Sequence, residues 1–186
     1  VEIAGLQESI RFWANWLVEQ NISDEWGTNW PATHSPQESG KPTRAAWCYG
    51  VPGVSRSLFL AGTALQDRQL KSLAASSMLS VFARPQSVQR NSSPTMCHGR
   101  AGVLQITARF SHDTEMPEFK EAARNLCQEL LETFDEKKIW GFEDNLNDGM
   151  AVDNPGLLCG ASGVLLALLS ACTDVEPIWD QTFLLS

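Results

Sequence analysis

Three short stretches decide how this chain is to be read: Cys48-Tyr49-Gly50-Val51-Pro52-Gly53-Val54, Cys97-His98-Gly99-Arg100-Ala101-Gly102-Val103 and Leu158-Cys159-Gly160-Ala161-Ser162-Gly163-Val164. Each contains Gly-x-x-Gly-Val, and each runs into an apolar segment. The leading glycines, Gly50, Gly99 and Gly160, stand 49 and then 61 residues apart. Self-similarity on that scale marks a chain built from repeated supersecondary units. A glycine just ahead of a helix permits a sharp turn and a close approach of backbones. Three equivalent turns gather at one end of such a fold. They should bring together the residues just before the glycines: Cys48, Tyr49, Cys97, His98, Leu158 and Cys159.

The intervening segments have a different character. Ile3, Leu6, Ile10, Trp13 and Leu17 step by three and four, as one face of an amphipathic helix does. Leu70, Leu73, Ser77 and Val81 repeat the pattern, and so do Phe119, Ala123, Leu126, Leu130 and Phe134. The runs after the glycines, Leu58 to Ala61, Val103 to Ile106 and Val164 to Leu169, are apolar nearly all round, which marks buried helices. Outer and inner helices therefore alternate three times. The fold expected is all-α, a double ring of helices, with almost no sheet. Long segments join outer helices to inner ones. Residues 21–47 carry Trp26, Trp30, Pro31, Pro36 and Pro42, residues 84–96 are rich in Pro, Ser and Gln, and residues 135–155 are acidic, with Glu143, Asp144, Asp148 and Asp153. Connections this long are often functional.

At 186 residues and 43% hydrophobic content the chain suits one domain with a sizeable core. Its formal charge of −8 argues against nucleic acid and anionic membrane as main partners, since both select basic surfaces. The longest apolar run falls well short of the roughly 20 residues of a membrane span. Val1-Glu2-Ile3-Ala4 lacks the basic start and apolar core of a signal peptide, so a cytoplasmic location is the expectation. A first residue other than Met suggests a fragment or a processed product. Five cysteines at long spacings do not form a secreted disulfide framework. In a reducing compartment they serve as ligands, nucleophiles or core residues.

Cys48, Cys97 and His98 offer two sulfurs and a nitrogen, a donor set suited to zinc with one position left open. Adjacent residues within a helix splay by about 100°, but Cys97 and His98 fall at a loop-to-helix junction, where both can face one ion. A lone Cys-His pair is a weak signal, and free cysteine is usually a small buried hydrophobe. The repeat strengthens the signal by placing Cys48 at the equivalent turn.

Ala46-Trp47-Cys48-Tyr49-Gly50 with Pro52-Gly53, followed by Cys97-His98-Gly99 with Ala101-Gly102, resembles the lanthionine synthetase C family, the cyclases of lanthipeptide biosynthesis. Pro155-Gly156-Leu157-Leu158 with Gly160-Ala161-Ser162-Gly163 is similar to its last repeat, and Trp179-Asp180 through Leu184-Leu185 to its C-terminus. The resemblance implies an α/α toroid with zinc on Cys48, Cys97 and His98. It also implies the addition of peptide cysteine thiols to dehydroalanine or dehydrobutyrine. The Cys-Tyr-Gly and Cys-His-Gly pair looks more like the stand-alone cyclases than the fused dehydratase-cyclases.

The same resemblance assigns Arg44, four residues before Cys48, to enolate stabilisation or substrate positioning. A solvated loop arginine is the competing assignment. Tyr49 matches the family tyrosine, as proton donor or hydrogen-bonder, with packing at the turn as the alternative. Cys159 takes the place of Tyr49 and His98 in the third repeat, where the family often carries another residue. It is expected as a buried thiol, with a place near the metal as the alternative. Cys127 and Cys172 are expected in the core, and His34 and His112 as surface loop histidines.

The family toroid is about twice this length, and three inner helices cannot close a ring that needs six or seven. Its upstream half supplies a histidine and an aspartate thought to handle protons. Residues 1–186 therefore read as the C-terminal zinc-bearing part of a partial toroid, expected to associate with the missing N-terminal half, another partner or itself. The expected partners are a dehydrated precursor peptide and a dehydratase. The alternative to a cyclase is a non-catalytic zinc-containing module that binds the peptide or the dehydratase.

Overall fold

The structure is a computed structural model that describes residues 3–33, 40–145 and 151–186. All six expected helices form. The amphipathic segments become α1 (Leu6–Glu19), α3 (Arg68–Ala83) and α6 (Pro117–Glu132). The apolar runs become α2 (Val51–Ala64), α5 (Arg100–Thr114) and α7 (Ala161–Cys172). A short α4 (Gln86–Gln89) lies between α3 and α5, and a 3-10 helix (Ile178–Phe183) ends the chain. Local chemistry sets several starts. Asp67 caps α3 by accepting from the backbone N–H groups of Gln69 and Leu70. Pro117 opens α6, where a missing N–H does no harm.

The helices pack in two layers. The inner helices α2, α5 and α7 stand side by side, α2 on α5 and α5 on α7. Behind them, α1 and α3 pack on α2, while α6 packs on both α5 and α7. The central inner helix is the most enclosed: every residue from Ala101 to Thr107 is buried, as are Arg109 and Phe110. Phe110 stacks on Phe119 of α6, with ring centroids 5.0 Å apart, and meets Phe59 of α2 edge-on. Toward the two ends of the arc the cover thins. Leu165 and Leu169 of α7 are 50% and 57% exposed, and Phe12 and Trp13 of α1 also face outward.

Two small hairpins appear within the long connections, where no strand was expected. In the first, β1 (Ile22–Asp24) pairs antiparallel with β2 (Gly27–Asn29). The Asp24 carboxylate accepts from the N–H groups of Trp26 and Gly27, and Gly27 has φ of 135°, so the turn is built locally. Arg84 at the end of α3 grips the same carboxylate with Nε and Nη2, at 3.1 and 3.0 Å. In the second, β3 (Glu143–Asn145) pairs with β4 (Ala151–Asp153). Strands of three residues leave no periodic trace in sequence, which is why they escaped it.

A buried ionic network anchors the C-terminal segment. Arg109 of α5 holds Asp180 through Nε at 2.6 Å and Nη2 at 2.8 Å, and Gln105 and Ser186 donate to the same carboxylate. Arg56 of α2 donates to the Leu185 carbonyl and to Asp113, both at 2.6 Å. Among the described residues no helix is long and apolar enough to cross a membrane.

Candidate metal centre

The three Gly-x-x-Gly turns superimpose in their contacts. A side-chain carbon at Gly50, Gly99 or Gly160 would stand 2.1–2.3 Å from the carbonyl oxygen six residues earlier, on Arg44, Ser93 and Asn154. At Gly53, Gly102 and Gly163 the same holds, 2.0–2.1 Å from the carbonyls of Trp47, Met96 and Leu157. Only glycine permits such contact. The second glycines also let neighbouring helix starts close up. Gly102 faces the Trp47 side chain of the preceding repeat, and Gly163 faces that of Met96. The backbones then join directly: the Cys48 N–H donates to the Cys97 carbonyl at 3.3 Å, and the Cys97 N–H to Leu158 at 2.8 Å.

This convergence gathers the chemistry-bearing side chains. The ligand atoms of Cys97, His98 and Cys159 all lie within 4.8 Å of one another. The Cys48 thiol lies against that of Cys97. Two of the three residues in the tight group are therefore expected ligands, and the third expected ligand, Cys48, adjoins it. Cys159 is half-buried and stands inside the cluster, the less favoured of its two expected places. Burial, then the Cys48 sulfur beside it, push the Cys97 thiol up to about 11. Burial also raises the Cys159 thiol, as does charge on Cys97 and Asp144. A cation among the sulfurs reverses that balance and favours thiolates.

His98 is oriented from behind. Its Nε2 meets Oδ1 of Asp144 at 3.1 Å, and the same oxygen accepts from Ser93 Oγ at 2.8 Å. Asp144 is buried on β3, so the second hairpin delivers a carboxylate to the imidazole. Metal-bound histidines commonly turn one ring nitrogen to a carboxylate and the other to the ion. Sulfur and imidazole donors at this spacing, with a carboxylate behind the imidazole, fit zinc.

In front lies a cleft of about 600 Å³ lined by Arg44, Cys48, Tyr49, Cys97 and His98, together with Lys41 and Arg90. All five residues expected to form the site thus share one cavity. Tyr49 is half exposed there. The remaining candidates lie elsewhere. His112 sits in the last turn of α5 rather than a loop, exposed and paired with Asp113 at 3.0 Å. Cys127 packs against the core, but Cys172 is exposed at the end of α7, its thiol against that of Cys127. His34, Pro36 and Asp148 lie outside the described residues.

A family model described as Lanthionine synthetase C-like protein matches residues 1–184. The chain belongs to this family. Among its relatives is the nisin biosynthesis protein NisC of Lactococcus lactis subsp. lactis, 27% identical over 111 residues, which are 56% of this chain and 25% of that protein. The solved structure of nisin cyclase superimposes with a TM-score of 0.77 at 19% identity, covering all of this chain and 44% of that one. At that identity the likeness speaks for the fold, the α/α toroid. The lanthionine synthetase C-like chain described here therefore spans less than half the length of each protein it matches.

One neighbour of the cluster escaped the sequence: Asp144 carried no signal beyond membership of an acidic stretch. Cys159 is among the residues that the glycine turns were expected to bring together, and they do.

Proposed function

We propose that this chain is the zinc-bearing, C-terminal part of a lanthipeptide cyclase. It adds cysteine thiols of a dehydrated precursor peptide to dehydroalanine or dehydrobutyrine, giving lanthionine and methyllanthionine rings. The observation that carries this reading is the cleft itself, where Cys48, Cys97 and His98 share one wall system with Arg44 and Tyr49.

Cys48, Cys97 and His98 hold the zinc. When bound, the ion lowers the pKa of a substrate thiol, so that a thiolate is available near neutral pH. Ser93 and Asp144 fix the His98 ring. The substrate sulfur bonds to the β-carbon of the dehydro residue, the double bond opens, and charge moves to the neighbouring carbonyl oxygen. Arg44 stabilises that enolate, as a donor aimed at developing charge does. The α-carbon then takes a proton, with Tyr49 as donor or as the hydrogen-bonder that positions one. The addition changes no mass, because every atom of thiol and alkene is kept.

The missing N-terminal half and a dehydratase are the proposed protein partners. The second reading is a zinc-containing module that binds peptide or dehydratase without catalysis. One assay separates the two. Dehydrated precursor is mixed with zinc-loaded protein, free thiols are then blocked, and the products are weighed. Cyclase activity leaves thiols unavailable to the blocking reagent. Binding with every thiol still blockable, even when an upstream half is supplied, supports the module instead.

A further inference from the structure

The cluster holds one sulfur more than the expected ligand set, and that sulfur is not there by accident of packing. Cys159 occupies the position just before the leading glycine, the same position as His98 in the second repeat. Its backbone is pinned on both sides. The Leu158 carbonyl accepts from Cys97, and Gly160 sits so close to the Asn154 carbonyl that any side chain there would collide. The thiol is thus aimed at the centre by the device that aims His98. Around a tetrahedral zinc with Zn–S bonds of about 2.3 Å, two sulfurs stand about 3.8 Å apart. The ligand atoms of Cys97, His98 and Cys159, already within 4.8 Å of one another, need only small side-chain adjustments to reach that spacing, and the Cys48 thiol, which lies against Cys97, must swing in beside them.

We propose that Cys159 is a fourth zinc ligand, completing a Cys48, Cys97, His98 and Cys159 set that closes the site when no substrate is present. This rests on the metal reading of the cleft given above. A set of three cysteines and one histidine fills the tetrahedron, whereas zinc sites that act on substrate leave a position open. With zinc bound, a substrate thiol would take the place of Cys159 and pass its proton to the sulfur that leaves, so the charge at the centre would be unchanged. Cys159 serves as a stopper for the reactive position, and the other three ligands stay in place.

X-ray absorption on the zinc-loaded protein, without added thiol, counts the sulfurs directly and needs no variant. Three sulfurs and one nitrogen are expected. Cobalt substitution supplies the second test, because sulfur-to-cobalt charge-transfer absorbance scales with the number of bound thiolates. It should fall by about a third in Cys159→Ser and in Cys159→Ala, and equally in Cys48→Ser. Two sulfurs in the parent protein, with a cobalt spectrum unmoved by Cys159→Ser, would overturn the proposal and leave the three-ligand site standing. Failure to bind zinc or cobalt at all would remove both.

Discussion

The backbone N–H of Cys97 donates to the carbonyl of Leu158 at 2.8 Å, and this bond joins the second glycine turn to the third. Its counterpart, Cys48 to Cys97 at 3.3 Å, joins the first to the second. The metal-centre residues are therefore placed by backbone contacts between repeats, and those contacts exist because the glycines let helix starts touch. Gly102→Ala tests the point. The added carbon would meet the Met96 carbonyl at 2.1 Å and the Trp47 side chain at 3.2 Å. Overpacking of this kind costs about 1–3 kcal/mol. A lower denaturant midpoint and weaker zinc retention are expected together; unchanged stability would contradict the close-approach account.

Asp144 is expected to matter chiefly through His98. Asp144→Asn keeps the shape but removes the carboxylate that the imidazole and Ser93 share. Loss of such a partner typically lowers metal affinity 10–100-fold. Competition with a chelator should show a loss of that size, while circular dichroism stays helical. Zinc affinity equal to the parent's would assign the hairpin a purely structural role.

The C-terminal anchor carries a pH signature. Burial alone would raise the Asp180 carboxyl, but hydrogen bonds from Arg109, Ser186 and Gln105 outweigh it and hold the group below its usual range. A carboxylate with a depressed folded pKa stabilises the fold fully above the unfolded value of about 3.9, and the contribution is lost as pH falls through the folded value. The parent protein should therefore lose stability on acidification below about pH 4, and Asp180→Ala should lose that component of the slope. At neutral pH the same variant removes one of the two carboxylates that hold Arg109, and with Glu176 still paired at 2.5 Å the loss should fall below the about 3–5 kcal/mol of a buried charge left alone. Equilibrium unfolding across the acid range measures both.

Much of this was legible in the chain before any coordinates. The periods of three and four around Leu70 and Phe119, against the all-apolar run at Val103, separated outer from inner helices because burial on one face and burial all round leave different patterns. Gly50, Gly99 and Gly160 marked the turns because no other residue tolerates the contact with a carbonyl six residues back. What stayed hidden depends on partners distant in sequence. Asp144 is identifiable only by the imidazole it meets, 46 positions away, and the hairpin that carries it is too short to show a period. Cys159 was placed by its repeat position, which it shares with Tyr49 and His98, but a cysteine there is as common in a core as at a metal. Arg109 and Asp180 are ordinary charges in sequence, and only the packing of the last helix makes them a buried pair.

The edges of the arc predict association. Leu165 and Leu169 project from α7 with half or more of their surface exposed, and Phe12 and Trp13 do so from α1. These are the faces that a neighbouring part of a full toroid would cover. The chain by itself should bind a hydrophobic dye and self-associate in sedimentation, and Leu165→Glu with Leu169→Glu should reduce both. A dilute monomer that ignores the dye would show that these faces need no cover.

In the proposed cyclase, Arg44 and Tyr49 are the residues through which the cleft would act on the substrate beyond binding its sulfur. Attack on a dehydro residue builds negative charge on a carbonyl oxygen, and a cation beside Cys48 is placed to meet it. In the complete cyclase, with any upstream half restored, Arg44→Ala should slow ring closure by about 10²–10³-fold, the loss seen when a donor to developing charge is removed. Zinc content should remain at one per chain, because Arg44 supplies no ligand atom. Tyr49→Phe should give a smaller loss if the phenol only positions a proton, and a loss near that of Arg44→Ala if it donates one. Cys97→Ala and His98→Ala should instead remove zinc and activity together. The measurement is single-turnover cyclisation of a dehydrated precursor, followed by thiol blocking and mass, alongside metal analysis of each variant. An Arg44→Ala protein that holds zinc and closes rings at the parental rate would return this arginine to the solvated surface of the loop.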